Sequence, residues 1–386
     1  MTSEQLITLS ANCLCKANIF TTRVTKQKLP LEGWACHCDS CRHVTGALYT
    51  VDVPWPEPRA NVDLTRLKAY AFSQDYDLLF CPTCSTPMFF SDTRNPEREL
   101  VILTGALRND PIDPIKIKYH IFVGDTKDGG ASMWLRKPNA DGTEIKRYYA
   151  RAENDEGQAA QPIPSDWPPS DTLTGYETKT QGPVPIRCKC KGVDLEWLPG
   201  SYDGKKESEL PWFVDPHTHK ALGGFCACES CRLPGGCDVW NWGFAELKDI
   251  SFAGKRERFP DASTELRAMV DAKNSSLGTL TYYASSSDAQ RYFCSNCSAT
   301  IFYVWDQRTF MVDVAIGVLG ASEGARAEGS LSWAFGGDIS HVEENKGGWR
   351  YGLFQRVAKE SEDWRISRGY PKNWRRLARE KASETA

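Results

Sequence analysis

The amino-acid sequence predicts a mainly β protein made of two similar units. Two observations carry that expectation. Short runs of β-branched and aromatic residues recur between Pro, Gly and Asn, as strands do between turns. One cysteine pattern also occurs twice: Cys-x-Cys, then Cys-x-Cys-x-x-Cys, then Cys-x-x-Cys.

Bulk properties set the frame. A chain of 386 residues has room for two or three domains. A hydrophobic share of 41% and a charged share of 25% are those of an ordinary globular chain. The formal net charge of -3 lacks the basic excess of a dedicated nucleic-acid binder. No apolar run reaches the roughly 18 residues of a spanning helix, so neither nucleic acid nor membrane is an expected partner. The start, Met1 to Leu9, lacks a basic stretch followed by an apolar one. The end, Ser383-Glu384-Thr385-Ala386, matches no common address signal. The expected location is cytoplasmic, with the nucleus also open.

The first unit is expected over residues 1–150. Ile7 to Leu9 and Asn18 to Val24 read as strands flanking Cys13-Leu14-Cys15. After Cys36-His37-Cys38-Asp39-Ser40-Cys41-Arg42 comes Pro54-Trp55-Pro56-Glu57-Pro58, a stiff surface segment by its prolines. Leu67 to Phe72, Leu78 to Phe80, Met88 to Phe90, Leu100 to Leu103 and Ile115 to Val123 read as further strands. Residues 151–185, with Pro162, Pro164, Pro168, Pro169, Pro183 and Pro185, read as a Pro-rich linker in which Trp167 packs on a neighbour.

The second unit is expected over residues 186–358, and it repeats the first. Cys188-Lys189-Cys190 answers Cys13-Leu14-Cys15, Cys226-Ala227-Cys228-Glu229-Ser230-Cys231-Arg232 answers the first triplet, and Cys294-Ser295-Asn296-Cys297 answers Cys81-Pro82-Thr83-Cys84. Val239 to Leu247, Leu280 to Ala284, Ile301 to Trp305 and Phe310 to Val318 read as strands. The spacings grow from 21 to 36 positions before the triplet and from 40 to 63 after it. The extra residues, around Gly200–Leu222 and Gly254–Asn274, belong in surface loops, with one short helix from Asp261 to Lys273. Residues 359–386 read as a charged tail with a short helix that docks Trp374 and Leu377 on the body.

Fifteen cysteines, odd in number and clustered, point to metal rather than disulfides in a reducing compartment, and to zinc ahead of iron–sulfur clusters. They divide into four plus three in each unit. On a strand, i and i+2 share a face, so Cys13 and Cys15 offer two sulfurs to one ion. With Cys81 and Cys84 they complete a tetrahedral structural site, as Cys188, Cys190, Cys294 and Cys297 do in the second unit. Cys36, Cys38 and Cys41, and likewise Cys226, Cys228 and Cys231, leave one zinc position open. That is the coordination of a catalytic centre, unless a His or Asp closes it.

The arrangement resembles the glutathione-dependent formaldehyde-activating enzyme family, which includes centromere protein V. The carriers are Cys13-x-Cys15, the Cys36–Arg42 heptad with Gly46, Phe80-Cys81-Pro82-Thr83-Cys84, Thr104-Gly105-Ala106-Leu107 and Tyr119-His120-Ile121-Phe122-Val123. In the second unit they are Cys188-x-Cys190, Cys226-x-Cys228-x-x-Cys231-Arg232, Phe293-Cys294-x-x-Cys297 and Ile316-Gly317-Val318-Leu319. The resemblance implies two tandem zinc-containing β-tent domains with few short helices. It implies carbon–sulfur lyase chemistry of the kind that joins glutathione to formaldehyde, with zinc as cofactor and glutathione as co-substrate. Ser85 and Ser298 depart from it, standing where the family has Gly and where the knuckle wants φ > 0.

The expected function is therefore that of a zinc-dependent enzyme acting on a small thiol adduct or carbonyl compound. A metal-bound thiol is deprotonated and becomes the nucleophile, or a metal-bound hydroxide serves hydrolysis or elimination. Arg42 and Arg232 are placed to hold a carboxylate of glutathione or substrate. His43 and His120 are candidate acid–base groups, and His217 with His219 a candidate third metal site. Trp240, Trp242, Tyr282, Tyr283 and Trp305 read as core. Cys237 either closes the second triplet or packs as a small buried thiol. The first unit, without such a cysteine, is favoured slightly for turnover. The alternative is a non-catalytic tandem zinc scaffold that binds a protein partner.

Overall fold

The computed structural model describes residues 5–153, 156–254, 257, 259–337 and 339–384. Met1 to Glu4, Asn154 and Asp155 of the linker, Lys255, Arg256 and Arg258 of the second insertion, Asp338, and Thr385 and Ala386 lie outside the described residues.

The first half opens with a hairpin of β1 (Leu6–Asn12) and β2 (Ile19–Thr25), whose turn carries Cys13 and Cys15. Then come β3 (Leu31–Cys36), α1 (Asp39–Thr45), β4 (Thr50–Pro54), β5 (Lys68–Ala71), β6 (Tyr76–Phe80), β7 (Pro87–Asp92), β8 (Val101–Leu103), β9 (Ile115–Ile121) and β10 (Lys146–Arg147). They form one sheet in the order β10-β9-β3-β4-β8-β7-β6-β5, antiparallel except where β9 runs parallel to β3 and to β10.

The second half repeats this plan. A small sheet joins β11 (Val184–Arg187), β12 (Asp194–Trp197) and β15 (Ile250–Phe252). The main sheet holds β13 (Ala221–Cys226), β14 (Trp240–Glu246), β16 (Leu280–Ser286), β17 (Ala289–Cys294), β18 (Thr300–Trp305), β19 (Met311–Ala315) and β20 (Leu331–Trp333). Its order β20-β13-β14-β19-β18-β17-β16 matches β9-β3-β4-β8-β7-β6-β5 strand for strand, including the one parallel pair. The helices α2 (Glu229–Gly235), α3 (Ser263–Asp271), α4 (Arg350–Ser367) and α5 (Trp374–Glu384) complete the described chain, so the protein is mainly β, as its sequence predicts.

The halves share one hydrophobic core. Trp134, fully buried, packs edge-on to Phe225 and tilted against Trp333 and Phe335 of the second half at 5.3–5.7 Å. Each such aromatic pair adds about 0.5–1.5 kcal/mol beyond area burial. Two backbone contacts between the halves are reciprocal. Gly105 N–H donates to the Gly236 carbonyl, and Gly317 N–H donates to the Gly46 carbonyl. Gly46 and Gly236 are the left-handed C-caps of α1 and α2. A Cβ on Gly105 would stand 2.2 Å from the Gly236 carbonyl carbon, and one on Gly317 2.1 Å from the Ala47 oxygen. Only glycine lets these backbones meet. A buried triad reinforces the joint: Thr104 Oγ1 donates to Asp238, and Arg350 Nε donates to the other Asp238 oxygen at 2.8 Å.

Three expectations are corrected. Pro54-Trp55 is not surface: β4 runs to Pro54, and Trp55 is buried edge-on against Phe89 at 6.0 Å. Burying so large an apolar ring outweighs the edge preference of its proline neighbours. Helix α4 crosses the expected boundary at residue 358, because Leu353, Phe354 and Val357 are buried in the common core. In α5, Trp374 packs on the core, whereas Leu377 is half exposed. The Pro-rich segment is anchored where Ile163 N–H donates to the Arg147 carbonyl and Trp167 packs edge-on to Tyr149 at 5.3 Å.

Candidate metal centres

Four cysteine groups assemble as the spacing predicts. Cys13, Cys15, Cys81 and Cys84 form one, and Cys188, Cys190, Cys294 and Cys297 another. The triplets Cys36, Cys38, Cys41 and Cys226, Cys228, Cys231 form the other two, and in each group all sulfurs lie within 4.8 Å of one another. Neighbouring sulfurs stand 3.4–3.6 Å apart. A disulfide would bring them to about 2.05 Å. A tetrahedron with zinc–sulfur arms of about 2.3 Å has edges near 3.8 Å, so the donor sets fit zinc.

Local backbone explains how the sulfurs converge. In each tetracysteine group the first pair sits on a hairpin turn and the second on a knuckle. Ser85 and Ser298, which follow the knuckles, have φ of 61° and 70°, the left-handed conformation expected of them. Backbone N–H groups point at the sulfurs: Asn18 at Cys13 (3.3 Å), Val193 at Cys188 (3.2 Å) and Cys297 at Cys294 (3.4 Å). Such bonds favour the thiolate.

Each triplet occupies a strand-to-helix turn rather than a simple loop. Cys36 ends β3, Cys38 is the N-cap of α1 and accepts from Cys41 N–H at 3.2 Å, and Cys41 lies in the first turn. Cys226, Cys228 and Cys231 hold the same places at β13 and α2. The Cys38 thiol is pushed down to about 3 by hydrogen bonds with Cys36 and then Cys41. Cys36 is pushed up, first by its hydrogen bond with Cys38.

The surroundings of the two triplets differ. Cys226, Cys228 and Cys231 line a cavity of about 630 Å³ together with Gly224, Trp242 and Arg291. Tyr303, Arg308 and Asp313 lie farther along its wall, and Arg375 and Arg379 of α5 reach it from the other side. Among five cavities on the described residues, this one touches the second triplet and none touches Cys36, Cys38 or Cys41. Arg291 Nη2 donates to Ser230 Oγ at 2.8 Å and Nη1 to Cys231 Sγ at 3.6 Å. Trp242 Nε1 donates to Cys231 Sγ at 3.3 Å. Burial raises the Asp313 carboxyl to about 6, against the opposing pull of Arg308 3.2 Å away.

Several expected site residues serve the fold instead. Arg232 Nη1 donates to the Gly105 and Leu107 carbonyls, so it joins the halves rather than facing the triplet's cavity. Arg42 is buried and bonded to Asp39. His43 Nδ1 meets the Arg187 carbonyl, again across the halves. His120 is buried between His37, at 2.9 Å, and the Leu135 carbonyl, at 2.8 Å, and burial lowers it to about 4. His217 pairs with Glu177 and His219 with Asp203, and neither belongs to a metal-compatible group among the described residues. The Cys237 sulfur donates to the Val239 carbonyl and stands outside the second triplet's cluster, which removes the closed-site alternative. Trp240 and Trp242 are core, with Tyr282 and Tyr283 packed partly buried against it; Trp242 also lines the cavity, as does Trp305.

Arg291, Trp242, Asp313 and Tyr303 were not legible as site residues, since nothing in the sequence pairs β14, β17, β18 and β19 in register. The one available signal was their mismatch with the first unit, where Leu78, Asp52, Val101 and Phe90 hold the equivalent register positions.

Two comparisons bear on identity. Residues 8–125 match the family model described as glutathione-dependent formaldehyde-activating enzyme. No curated protein matches the chain.

Proposed function

On the premise that residues 8–125 belong to the glutathione-dependent formaldehyde-activating enzyme family, we propose that this chain is a zinc-dependent carbon–sulfur lyase-type enzyme. Its substrate is a small thiol adduct or carbonyl compound, with glutathione a candidate thiol, and turnover belongs to Cys226, Cys228 and Cys231. One observation carries the reading: those three sulfurs lie in the wall of a 630 Å³ cavity beside a buried arginine and a buried carboxyl. The slight preference for the first triplet gives way to it.

Zinc on three thiolates keeps one coordination position and supplies Lewis-acid chemistry there. The chain's own groups do the rest. Arg291 holds Ser230 and Cys231 in place. Trp242 and Tyr303 line the cavity. Asp313, ionised above about pH 6, can as a carboxylate take the hydroxyl proton of a thiohemiacetal. The carbon–oxygen double bond then forms, the carbon–sulfur bond breaks, and sulfur leaves with the bonding pair. The step is redox-neutral, as suits zinc.

Elemental analysis should find zinc, up to one ion for each of the four cysteine groups. With a thiol and an aldehyde, exchange of the adduct followed by NMR should be fast in the native chain. It should be lost in Cys228→Ser with near-ultraviolet circular dichroism preserved, and retained in Cys38→Ser. Iron in place of zinc, or less than one ion per chain, would overturn the reading. Exchange that survives Cys228→Ser would do the same. A second reading, a non-catalytic zinc scaffold, is favoured only by the first triplet, which lines none of the five cavities.

A further inference from the structure

The two halves place equivalent strands in equivalent register, so residues around the two triplets compare position by position. Gly223 and Gly224 pair with Gly243 and Trp242, as Trp34 pairs with Asp52. Gly224 is therefore the counterpart of Trp34, and Trp242 that of Asp52. The β18–β17 pair Tyr303–Arg291 answers the β7–β6 pair Phe90–Leu78. Between one triplet and the other, a tryptophan has moved across the strand pair, and a leucine is replaced by an arginine.

The space that results is directly visible. On alternating strand geometry, the residue two before the first ligand points to the same face as that ligand. In the first half that residue is Trp34, which is partly buried. In the second it is Gly224, where a Cβ would meet no atom within 4 Å and the cavity begins.

The hydrogen bonds differ as well. Cys231 Sγ accepts from Trp242 Nε1 at 3.3 Å and from Arg291 Nη1 at 3.6 Å. Leu78, the counterpart of Arg291, has no donor to offer Cys41. N–H groups bonded to a ligating sulfur withdraw charge from it, so the metal it holds becomes the stronger acceptor.

We propose that Gly224, Trp242 and Arg291 make the second triplet the centre that admits an external ligand, while Trp34 covers the first. Gly224 is a specificity determinant, and Trp242 and Arg291 are positioning residues that act through Cys231. The inference rests on the reading of the triplets as zinc sites with a vacant position, but not on turnover.

The test uses the full-length chain loaded with cobalt(II), titrated with 2-mercaptoethanol and followed by the sulfur-to-cobalt charge-transfer and ligand-field bands. The thiol enters as thiolate, its proton passing to buffer. The native chain should bind one equivalent. Gly224→Trp should bind none at unchanged cobalt content, and Trp34→Gly should bind two. Arg291→Leu, which copies the first half, should move the charge-transfer band to lower energy, and Arg291→Lys should restore most of the shift. Two equivalents in the native chain would overturn the proposal. So would one equivalent that persists in Gly224→Trp, or an Arg291→Leu spectrum that does not move. One equivalent bound without any adduct exchange would support this inference while ending the enzymatic reading.

Discussion

On the first half-sheet the positions around the triplet are Trp34, Asp52, Val101, Phe90 and Leu78. On the second they are Gly224, Trp242, Asp313, Tyr303 and Arg291. The cysteines, the capping glycines Gly46 and Gly236, and the contact glycines Gly105 and Gly317 are the same in both. What stays constant is what the backbone requires: metal ligands, positive φ and close approach. Among the positions that vary are those that line the cavity. A duplicated fold can therefore keep its scaffold twice and its open site once.

That comparison breaks most forcefully at the tetracysteine groups. If these groups hold structural zinc, as proposed, removing one ligand would forfeit much of roughly 10–16 kcal/mol of apparent binding energy, more than the whole stability of a typical domain. Cys81→Ser and Cys294→Ser should each abolish cooperative unfolding. Because the halves share one core, both halves should melt together, read as a single lost transition in calorimetry. Cys228→Ser, at a triplet, should keep its transition. If ligand loss in either kind of group melts the chain alike, the division into structural and open sites is wrong.

Next in size is the joint between the halves. Gly317→Ala places a Cβ against the Ala47 oxygen, a backbone atom that cannot swing aside. The cost should reach the upper end of the roughly 1–3 kcal/mol of overpacking. Gly105→Ala, its counterpart against Gly236, should cost a similar amount in urea melts. A large cost at one glycine and none at the other would show that the reciprocal joint is not symmetric in energy.

The smallest effect sharpens the contrast between Asp313 and Val101. Native Asp313 keeps its proton to about pH 6, whereas an unfolded aspartate loses it near pH 3.9. Between those values the native state binds the extra proton. This group's contribution is therefore full below about pH 4 and is lost as pH rises through about 6. At 1.36 kcal/mol per pKa unit its ceiling is about 3 kcal/mol. Asp313→Asn should flatten that limb of stability against pH, measured by urea melts from pH 4 to 7. An unchanged slope would mean that Arg308 holds Asp313 ionised throughout.

Much of the fold and of the grouping of the cysteines was legible in the chain. The strand runs from Met88 to Phe90 and from Ile301 to Trp305, the helix inside Asp261–Lys273, and the positive φ of Ser85 and Ser298 follow from local pattern. Short central strands such as β3 and β13 did not. Leu31-Glu32-Gly33-Trp34-Ala35-Cys36 carries a buried glycine and no alternation, because its pairing comes from neighbours on both sides. Helix α4 was also missed, since its buried face includes Arg350 and Ser361 beside Leu353 and Phe354.

The sequence by itself determined the mainly β class, the repeated cysteine pattern and the two triplets, because cysteines at i, i+2 and i+5 converge from one strand-to-helix turn whatever surrounds them. Only the tertiary structure decided what each triplet faces. Arg291 lies 60 positions after Cys231, and Arg375 and Arg379 come from a helix beyond the second sheet. It also turned Arg232 and His43 from site candidates into the seam between the halves. Those roles depend on strand register and on how two sheets share one core, and register is a property of pairs of segments rather than of any one of them.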